Sequence, residues 1–145
     1  MSPGTTVDVG ALYYVYPSTH TGNSDYIEPY ASIRHTFGPA TAKIGAAYAP
    51  SQRSIGSNDN IYVYGELSSG IPGTPITLNS HLGYSDGSLA FVGHYLDWTV
   101  GADVALGHNL TAGVKYVDTD LPATGVRAVD RTFNAGVLFS IGATF

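Results

Sequence analysis

The last fifteen residues of the chain, 131–145, follow a strict two-residue period. Apolar side chains occupy every second position, and small or polar ones fill most of the positions between them. The apolar positions are Phe133, Ala135, Val137, Phe139, Ile141, Ala143 and Phe145. Because successive side chains of a β-strand point to opposite faces, this period predicts a strand with one apolar and one polar face.

The chain as a whole is poor in charge but has no long apolar segment. Charged residues make up 12% of its 145 residues, against roughly 25% in typical soluble domains. No apolar run approaches the roughly 18 to 20 residues that a transmembrane helix needs. The apolar residues are distributed by alternation instead, and the membrane structure built on alternation is the β-barrel.

The same period recurs in seven earlier segments, so we predict eight strands in one domain covering residues 1–145. The predicted strands are 7–15, 27–37, 42–48, 61–68, 76–85, 96–106, 110–116 and 133–145. Single-chain bacterial barrels have an even number of strands. We therefore predict an all-β fold, an eight-stranded antiparallel up-and-down transmembrane β-barrel. Since lipid does not tolerate open sheet edges, we expect the first strand to pair with the eighth.

The predicted connections alternate between short turns and longer loops. The short turns are 38–39, 69–75 and 107–108, and the longer loops are 17–23, 50–59, 86–94 and 117–130. The short turns contain no Lys, Arg, Asp or Glu, whereas the longer loops contain several charged residues. In outer-membrane barrels the short turns face the periplasm. The pattern thus predicts a location in the outer membrane of a Gram-negative bacterium, with a lipid bilayer, or detergent in its place, around the protein.

Aromatic residues recur on the apolar face near the predicted strand ends. Rings in lipid with polar tips at the headgroups form the aromatic girdles of membrane proteins. We expect an outer girdle of Tyr13, Tyr48, Tyr84, Trp98 and Tyr116, and an inner girdle marked by Phe37 and Phe145. The alternative is that the tyrosines pack in the core of a soluble protein.

The two ends of the chain add two expectations about export and assembly. Phe139, Ile141 and the terminal Phe145 resemble the signal read by the barrel-assembly machinery, which would be a partner during biogenesis. The start, 1–4, has no basic stretch followed by an apolar core. We therefore interpret the chain as a mature or trimmed one behind an added methionine.

The polar face of the predicted strands would point into a barrel. Eight strands enclose a space just wide enough for side chains to fill. We expect a polar network there, formed by Glu28, Arg34, Lys43, Tyr62, Tyr64, Glu66, His81, Asp97, Asp103 and Lys115. Unpaired buried charge is costly, so these groups should pair across the inside. Two interpretations stay open: a structural polar plug, or a pathway that favours cations.

Other function classes find little support in the residues. A net charge of −5 argues against nucleic acid as a partner, because nucleic-acid binding depends on cationic contacts to phosphate. No cysteine is present, and the five histidines are scattered without ligand spacing, so we predict no metal and no cofactor. Ser85, Asp86, His94 and Asp97 could meet near one long loop. Nothing fixes them as a nucleophile and base, so we predict no enzyme.

Several segments resemble the TorF-like porins, a proteobacterial family of outer-membrane proteins of unknown function. The matching segments are 8–17, 25–30, 37–40, 82–85, 95–98 and 115–121, of which Lys115-Tyr-Val-Asp-Thr-Asp-Leu121 is the most specific. The resemblance implies a pore for small solutes. Members of that family carry further strands before the point where this chain begins, so this chain is similar to their carboxy-terminal eight strands.

Two functions from other classes stay open beside a structural barrel or a narrow porin. A soluble β-barrel could bind a small apolar ligand in its interior, with the two strand faces inverted. A trimmed chain with exposed edges could instead assemble into a β-rich filament.

Overall fold

The computed structural model describes residues 4–17, 24–90, 93–107 and 109–144. The strands in these ranges are β1 Thr5–Tyr14, β2 Tyr26–Phe37, β3 Ala40–Ala49, β4 Asn60–Gly70, β5 Ile76–Gly87, β6 His94–Ala105, β7 Leu110–Thr119 and β8 Gly136–Ala143. A 3-10 turn at Arg53–Ile55 and a helix, α1 at Arg127–Phe133, lie in the longer connections. Within the described ranges, no helix is long and apolar enough to cross a membrane.

The eight strands form one antiparallel sheet in which each strand pairs with the next along the chain. The predicted all-β class and up-and-down order are therefore confirmed. The β2–β3 turn shows how short the connections on one side are, because Phe37 pairs with Ala40 across two residues. Gly38 has a φ of +59° there, a conformation that glycine adopts without steric cost.

The predicted closure between the first and the last strand is wrong. In the described residues β1 pairs with β2, β8 pairs with β7, and the two outer edges are not paired with each other. Alternation specifies the two faces of a strand, whereas closure depends on the tilt and stagger of all strands together. The sheet is nevertheless strongly curled, since a single cavity is lined by residues from β2 through β8.

The last strand begins later than its alternation predicts. Gly136 is its first residue, and Phe133 ends α1. One apolar residue can fit both a strand period and a helical turn, so Phe133 extends the pattern without lying on the strand. The β5–β6 hairpin has longer strands than the alternation predicts. Its ladder continues to Asp86, which lies opposite His94, so the connecting loop is shorter than the predicted 86–94.

The two faces of the curled sheet differ in exposure along its middle strands, whereas most residues of the edge strands β1 and β8 are exposed on both faces. On the outer face Val9 is 70% exposed, Val100 58% and Phe139 82%. On the inner face Ser85 is 2% exposed. In the described part of the chain, the only buried apolar residues are two alanines. The apolar side chains thus form an outer surface and not a core, which is the reverse of a soluble barrel with an apolar interior.

Candidate functional site

The register aligns four ionisable side chains in one row across the inner face. Arg34 lies opposite Lys43, Lys43 opposite Glu66, and Glu66 opposite His81. Side chains directly opposite each other in antiparallel strands are close enough to interact. The Lys43 Nζ atom lies 3.8 Å from Glu66 Oε2 and 4.9 Å from the centre of the Tyr64 ring. The row therefore places cations, a carboxylate and an imidazole side by side.

His81 joins this row to groups on β4 and β6. Its Nε2 atom lies 2.8 Å from the Tyr62 hydroxyl and 3.2 Å from Asp97 Oδ1, and its Nδ1 atom lies 3.7 Å from Glu66 Oε1. The Tyr62 hydroxyl also lies 3.2 and 3.1 Å from the two carboxylate oxygens of Asp97. A phenol has one proton, so Tyr62 donates to only one of these partners at a time. We call Lys43, Tyr62, Tyr64, Glu66, His81 and Asp97 the inner polar cluster.

Two tyrosines of the inner polar cluster lie over glycines of neighbouring strands. A Cβ atom at Gly45 would come 2.5 Å from Cζ of Tyr64. A Cβ atom at Gly83 would collide with the Tyr62 hydroxyl. Because glycine has no side chain, each tyrosine ring can lie against the backbone of the neighbouring strand. The rings therefore take up less of the space inside the curl. Sequence reasoning missed both glycines, because their role depends on which tyrosine the register places beside them.

A cavity of about 460 Å³ lies inside the curl, toward the short turns. We call it the central cavity. Its charged lining residues are Arg34, Lys43, Glu66, Asp103 and Lys115, with His81 at its border to the inner polar cluster. Asn79 Nδ2 donates a hydrogen bond of 2.6 Å to Asp103 Oδ2. The central cavity is thus polar, and cations outnumber carboxylates in its lining.

A second cavity, of about 390 Å³, lies at the long-loop end of the inner face. We call it the rim cavity. Tyr62 and Asp97 line it, together with Tyr95 on β6 and Phe133 at the end of α1. Tyr62 and Asp97 therefore border the rim cavity, whereas His81 borders the central one. The contact among these three side chains stands between the two cavities.

Asp130 holds together the connection that carries α1. Its Oδ1 atom accepts hydrogen bonds of 2.6 Å from both the backbone N–H and the hydroxyl of Thr124. These hydrogen bonds lower the pKa of the Asp130 carboxyl below its ordinary value, because they stabilise the charged form. The contact ties the middle of the connection to the helix whose last residue, Phe133, lines the rim cavity.

Residues 1–145, the whole sequence, match the model of a family described as "Bacterial protein of unknown function (Gcw_chp)". The chain belongs to this family. No curated protein and no solved structure matches it. The Gcw_chp description leaves function open, so a functional argument for this member rests on its geometry.

The ten residues predicted to form an inner network have different surroundings in this Gcw_chp protein. Six of them make up the inner polar cluster. Arg34, Asp103 and Lys115 line the central cavity. Glu28 lies apart from them: it is 9% exposed and accepts a hydrogen bond of 3.2 Å from the Tyr14 hydroxyl.

The four tyrosines predicted for the outer girdle share one contact. Each hydroxyl donates a hydrogen bond to an aspartate at the long-loop end of the sheet. The pairs are Tyr116–Asp118 at 2.7 Å, Tyr48–Asp59 at 3.0 Å, Tyr84–Asp86 at 3.4 Å and Tyr13–Asp25 at 3.5 Å. Each ring thus lies on the apolar outer face while its polar tip meets a carboxylate. Sequence reasoning missed these aspartate partners, and the position of the rings at the headgroup level stays a prediction.

The remaining girdle and assembly residues lie on β2, β6 and β8. Trp98 faces outward on β6, opposite Asp118 of β7. Phe37 ends β2 and is 51% exposed. Phe139 and Ile141 on β8 are 82% and 81% exposed. Phe145 lies outside the described residues, as does most of the predicted 17–23 loop.

Among the residues weighed as a hydrolytic site, Ser85 has a different partner from Asp86 and His94. Ser85 is 2% exposed, and its hydroxyl accepts a hydrogen bond of 3.2 Å from Asn60. Asp86 accepts from Tyr84, and the His94 ring lies 6.3 Å from the ring of the same tyrosine. In the part of the chain that the structure describes, no group of three or more His, Cys, Asp or Glu could hold a metal.

Proposed function

We propose that this chain is an outer-membrane β-barrel protein whose polar inside forms a narrow pathway for small solutes. The observation that carries the proposal is the exposure of apolar side chains on the outer face of every strand, combined with a polar inside that contains cavities. Large contiguous apolar surfaces are unusual on soluble monomers. Lipid tails would cover this surface, and an apolar band around a polar interior is the arrangement of outer-membrane barrels.

The narrow point of the proposed pathway is the contact among Tyr62, His81 and Asp97. It lies between the rim cavity and the central cavity, so a solute passing from one to the other has to displace or skirt these side chains. Asp97 and Glu66 bring two carboxylates to this point. Carboxylates at a constriction favour cations, so we expect a small conductance with a preference for cations.

The unpaired edges set a condition on this proposal. Each backbone polar group left unsatisfied in lipid costs several kcal/mol, so inserted protein must find partners for the free edges of β1 and β8. Because the chain has no cysteine, pairs of introduced cysteines, one in each edge strand, can report the partner. A disulfide within one chain indicates that the two edges pair with each other. A disulfide-linked dimer indicates pairing between chains.

Single-channel conductance in a planar bilayer tests the pathway, on protein already shown to be folded and inserted. We expect discrete steps that become larger in Tyr62→Ala, because the constriction widens. Asp97→Asn should weaken the preference for cations, whereas Asp59→Asn, the same charge change at the outer contact with Tyr48, should not. Silence from both the unaltered chain and Tyr62→Ala would overturn the pathway and leave a structural barrel.

The structural role is the second candidate, and one observation favours it. The inner polar cluster closes the space between the cavities with direct contacts among its side chains. The resemblance to TorF-like porins favours the pathway instead. A soluble barrel that binds an apolar ligand is opposed by the polar inside, and a filament would use the edges of β1 and β8.

A further inference from the structure

We propose that the rim cavity binds small organic cations, of the primary or quaternary ammonium class. This goes beyond the solute pathway and does not require that anything pass through the protein. The site lies where the long connection carrying α1 meets the inner face. Its chemistry differs from that of the central cavity, although the two have similar volumes.

Three of the described residues that line the rim cavity are aromatic. Tyr62, Tyr95 and Phe133 come from β4, β6 and α1, and Leu89 and Leu121 add apolar surface between them. An ammonium group is attracted to the faces of aromatic rings, and cages of such rings recognise methylated ammonium ligands. A cavity of about 390 Å³ has room for an ammonium head with its methyl groups.

The charge of the lining points the same way. Among the described residues, the lining includes Asp97 and Asp118 and contains no lysine or arginine. The Asp118 carboxylate is bonded to Tyr116 on the outer face, whereas Asp97 contacts Tyr62, which itself lines the rim cavity, so Asp97 is the carboxylate we assign to the ligand. In the described residues Asp97 forms an ion pair with His81 and with no lysine or arginine. A ligand cation can therefore pair with Asp97 where no described lysine or arginine does.

The contrast between the two cavities gives the site its selectivity. Arg34, Lys43 and Lys115 line the central cavity beside Glu66 and Asp103, so an ammonium ligand gains less there than in the rim cavity, where the described charged lining residues are carboxylates. An organic cation that enters from the long-loop side should therefore stop in the rim cavity. The contact of Tyr62 and Asp97 with His81 forms the floor on which it would rest.

Calorimetric titration of the full chain folded in detergent tests this inference. The probes are choline and its uncharged counterpart 3,3-dimethylbutan-1-ol, which has a similar shape. We expect choline to bind and the alcohol to bind about tenfold more weakly or worse, because the attraction to rings and carboxylate needs the charge. Asp97→Asn should weaken choline binding about tenfold, and Tyr95→Leu roughly three- to tenfold.

Two controls keep the inference falsifiable. Asp59→Asn removes the same charge at the same end of the molecule but outside the rim cavity, and it should bind choline like the unaltered chain. Tyr95→Leu leaves the ion pair of Asp97 in place, so it tests the site even if Asp97→Asn does not fold. Equal binding of choline and the alcohol, no binding of choline by the folded chain, or unchanged binding in folded Tyr95→Leu would overturn the proposal. Because conductance is measured separately, a silent barrel that binds choline refutes the pathway and supports this site.

Discussion

The hydroxyl end of Tyr62 occupies the space into which a side chain at position 83 would project. Asp97 Oδ2 borders the same space, 2.6 Å from where the Cβ atom would lie. Gly83→Ala should therefore push both groups out of contact and destabilise the fold by roughly 1 to 3 kcal/mol, the usual cost of overpacking. Urea unfolding in detergent measures the change.

Gly65→Ala is the matched control for this prediction. Gly65 lies on β4, and a Cβ atom there would meet nothing within 4 Å. We expect its free energy of unfolding to change by about 0.5 kcal/mol or less, as for other substitutions in open surroundings. If the two variants unfold alike, Tyr62 does not rest against Gly83.

Two neighbouring residues at the middle of β6 should respond differently when each is replaced by arginine. Val100 is 58% exposed on the outer face, whereas Thr99 lines the central cavity. If the outer face lies in lipid, as proposed, Val100→Arg places a charge there and should destabilise the inserted protein by roughly 2 to 4 kcal/mol. Thr99→Arg should instead alter conductance through crowding and added positive charge. Indistinguishable effects on stability and conductance would mean that the two faces are assigned wrongly.

The depth of the outer girdle can be read from Trp98, the chain's single tryptophan. If the girdle lies at the headgroup level, lipids brominated near the headgroup end of their chains should quench its fluorescence most. Lipids brominated near the chain ends should quench it less. Stronger quenching at the bilayer centre would contradict the girdle, and no quenching by either lipid would contradict membrane insertion.

The connection that carries α1 should loosen in acid. Hydrogen bonds from Thr124 lower the pKa of Asp130 in the folded state. The stabilisation they give is therefore fully present above the unfolded pKa of 3.8 and is lost as the pH falls through the lower folded value. Protection of residues 120–135 against hydrogen exchange, taken relative to the intrinsic rate at each pH, should fall over that range. Asp130→Asn should exchange faster already at neutral pH and lose most of the pH dependence; an unchanged pH dependence would exclude Asp130 as its source.

The terminal aromatic residue tests the assembly signal. Phe145→Ala should reduce the amount of assembled protein in cells more than it reduces refolding into detergent. The reason is that, if the proposed assembly signal is read in cells, its recognition would depend on Phe145, whereas the described strand pairs of β8 run from Gly136 to Ala143. An equal loss in cells and in detergent would show that Phe145 supports the fold and not recognition.

Positions 99 and 100 show which features of the fold can be predicted from the sequence. Alternation predicted that one faces inward and the other outward, because a strand imposes that geometry whatever its neighbours are. Alternation did not predict that Glu66 lies opposite His81. A shift of two residues between strands leaves every face unchanged but gives each side chain a new partner, so the pattern is compatible with several registers.

Two further features also needed the three-dimensional arrangement. Phe133 continues the alternating sequence pattern of the last strand, but it is the last residue of α1 and lines the rim cavity. The edges of β1 and β8 are open. Whether a sheet closes depends on the tilt and stagger of all its strands together, which the pattern of a single strand does not specify.

By itself, the sequence determined a single antiparallel series of strands with an apolar and a polar face, since those properties follow from local backbone geometry and the order of residue types. The tertiary structure alone decided which polar groups meet. It placed Tyr62, His81 and Asp97 in contact between two cavities, because contacts between strands depend on register and curl, which are properties of the whole sheet.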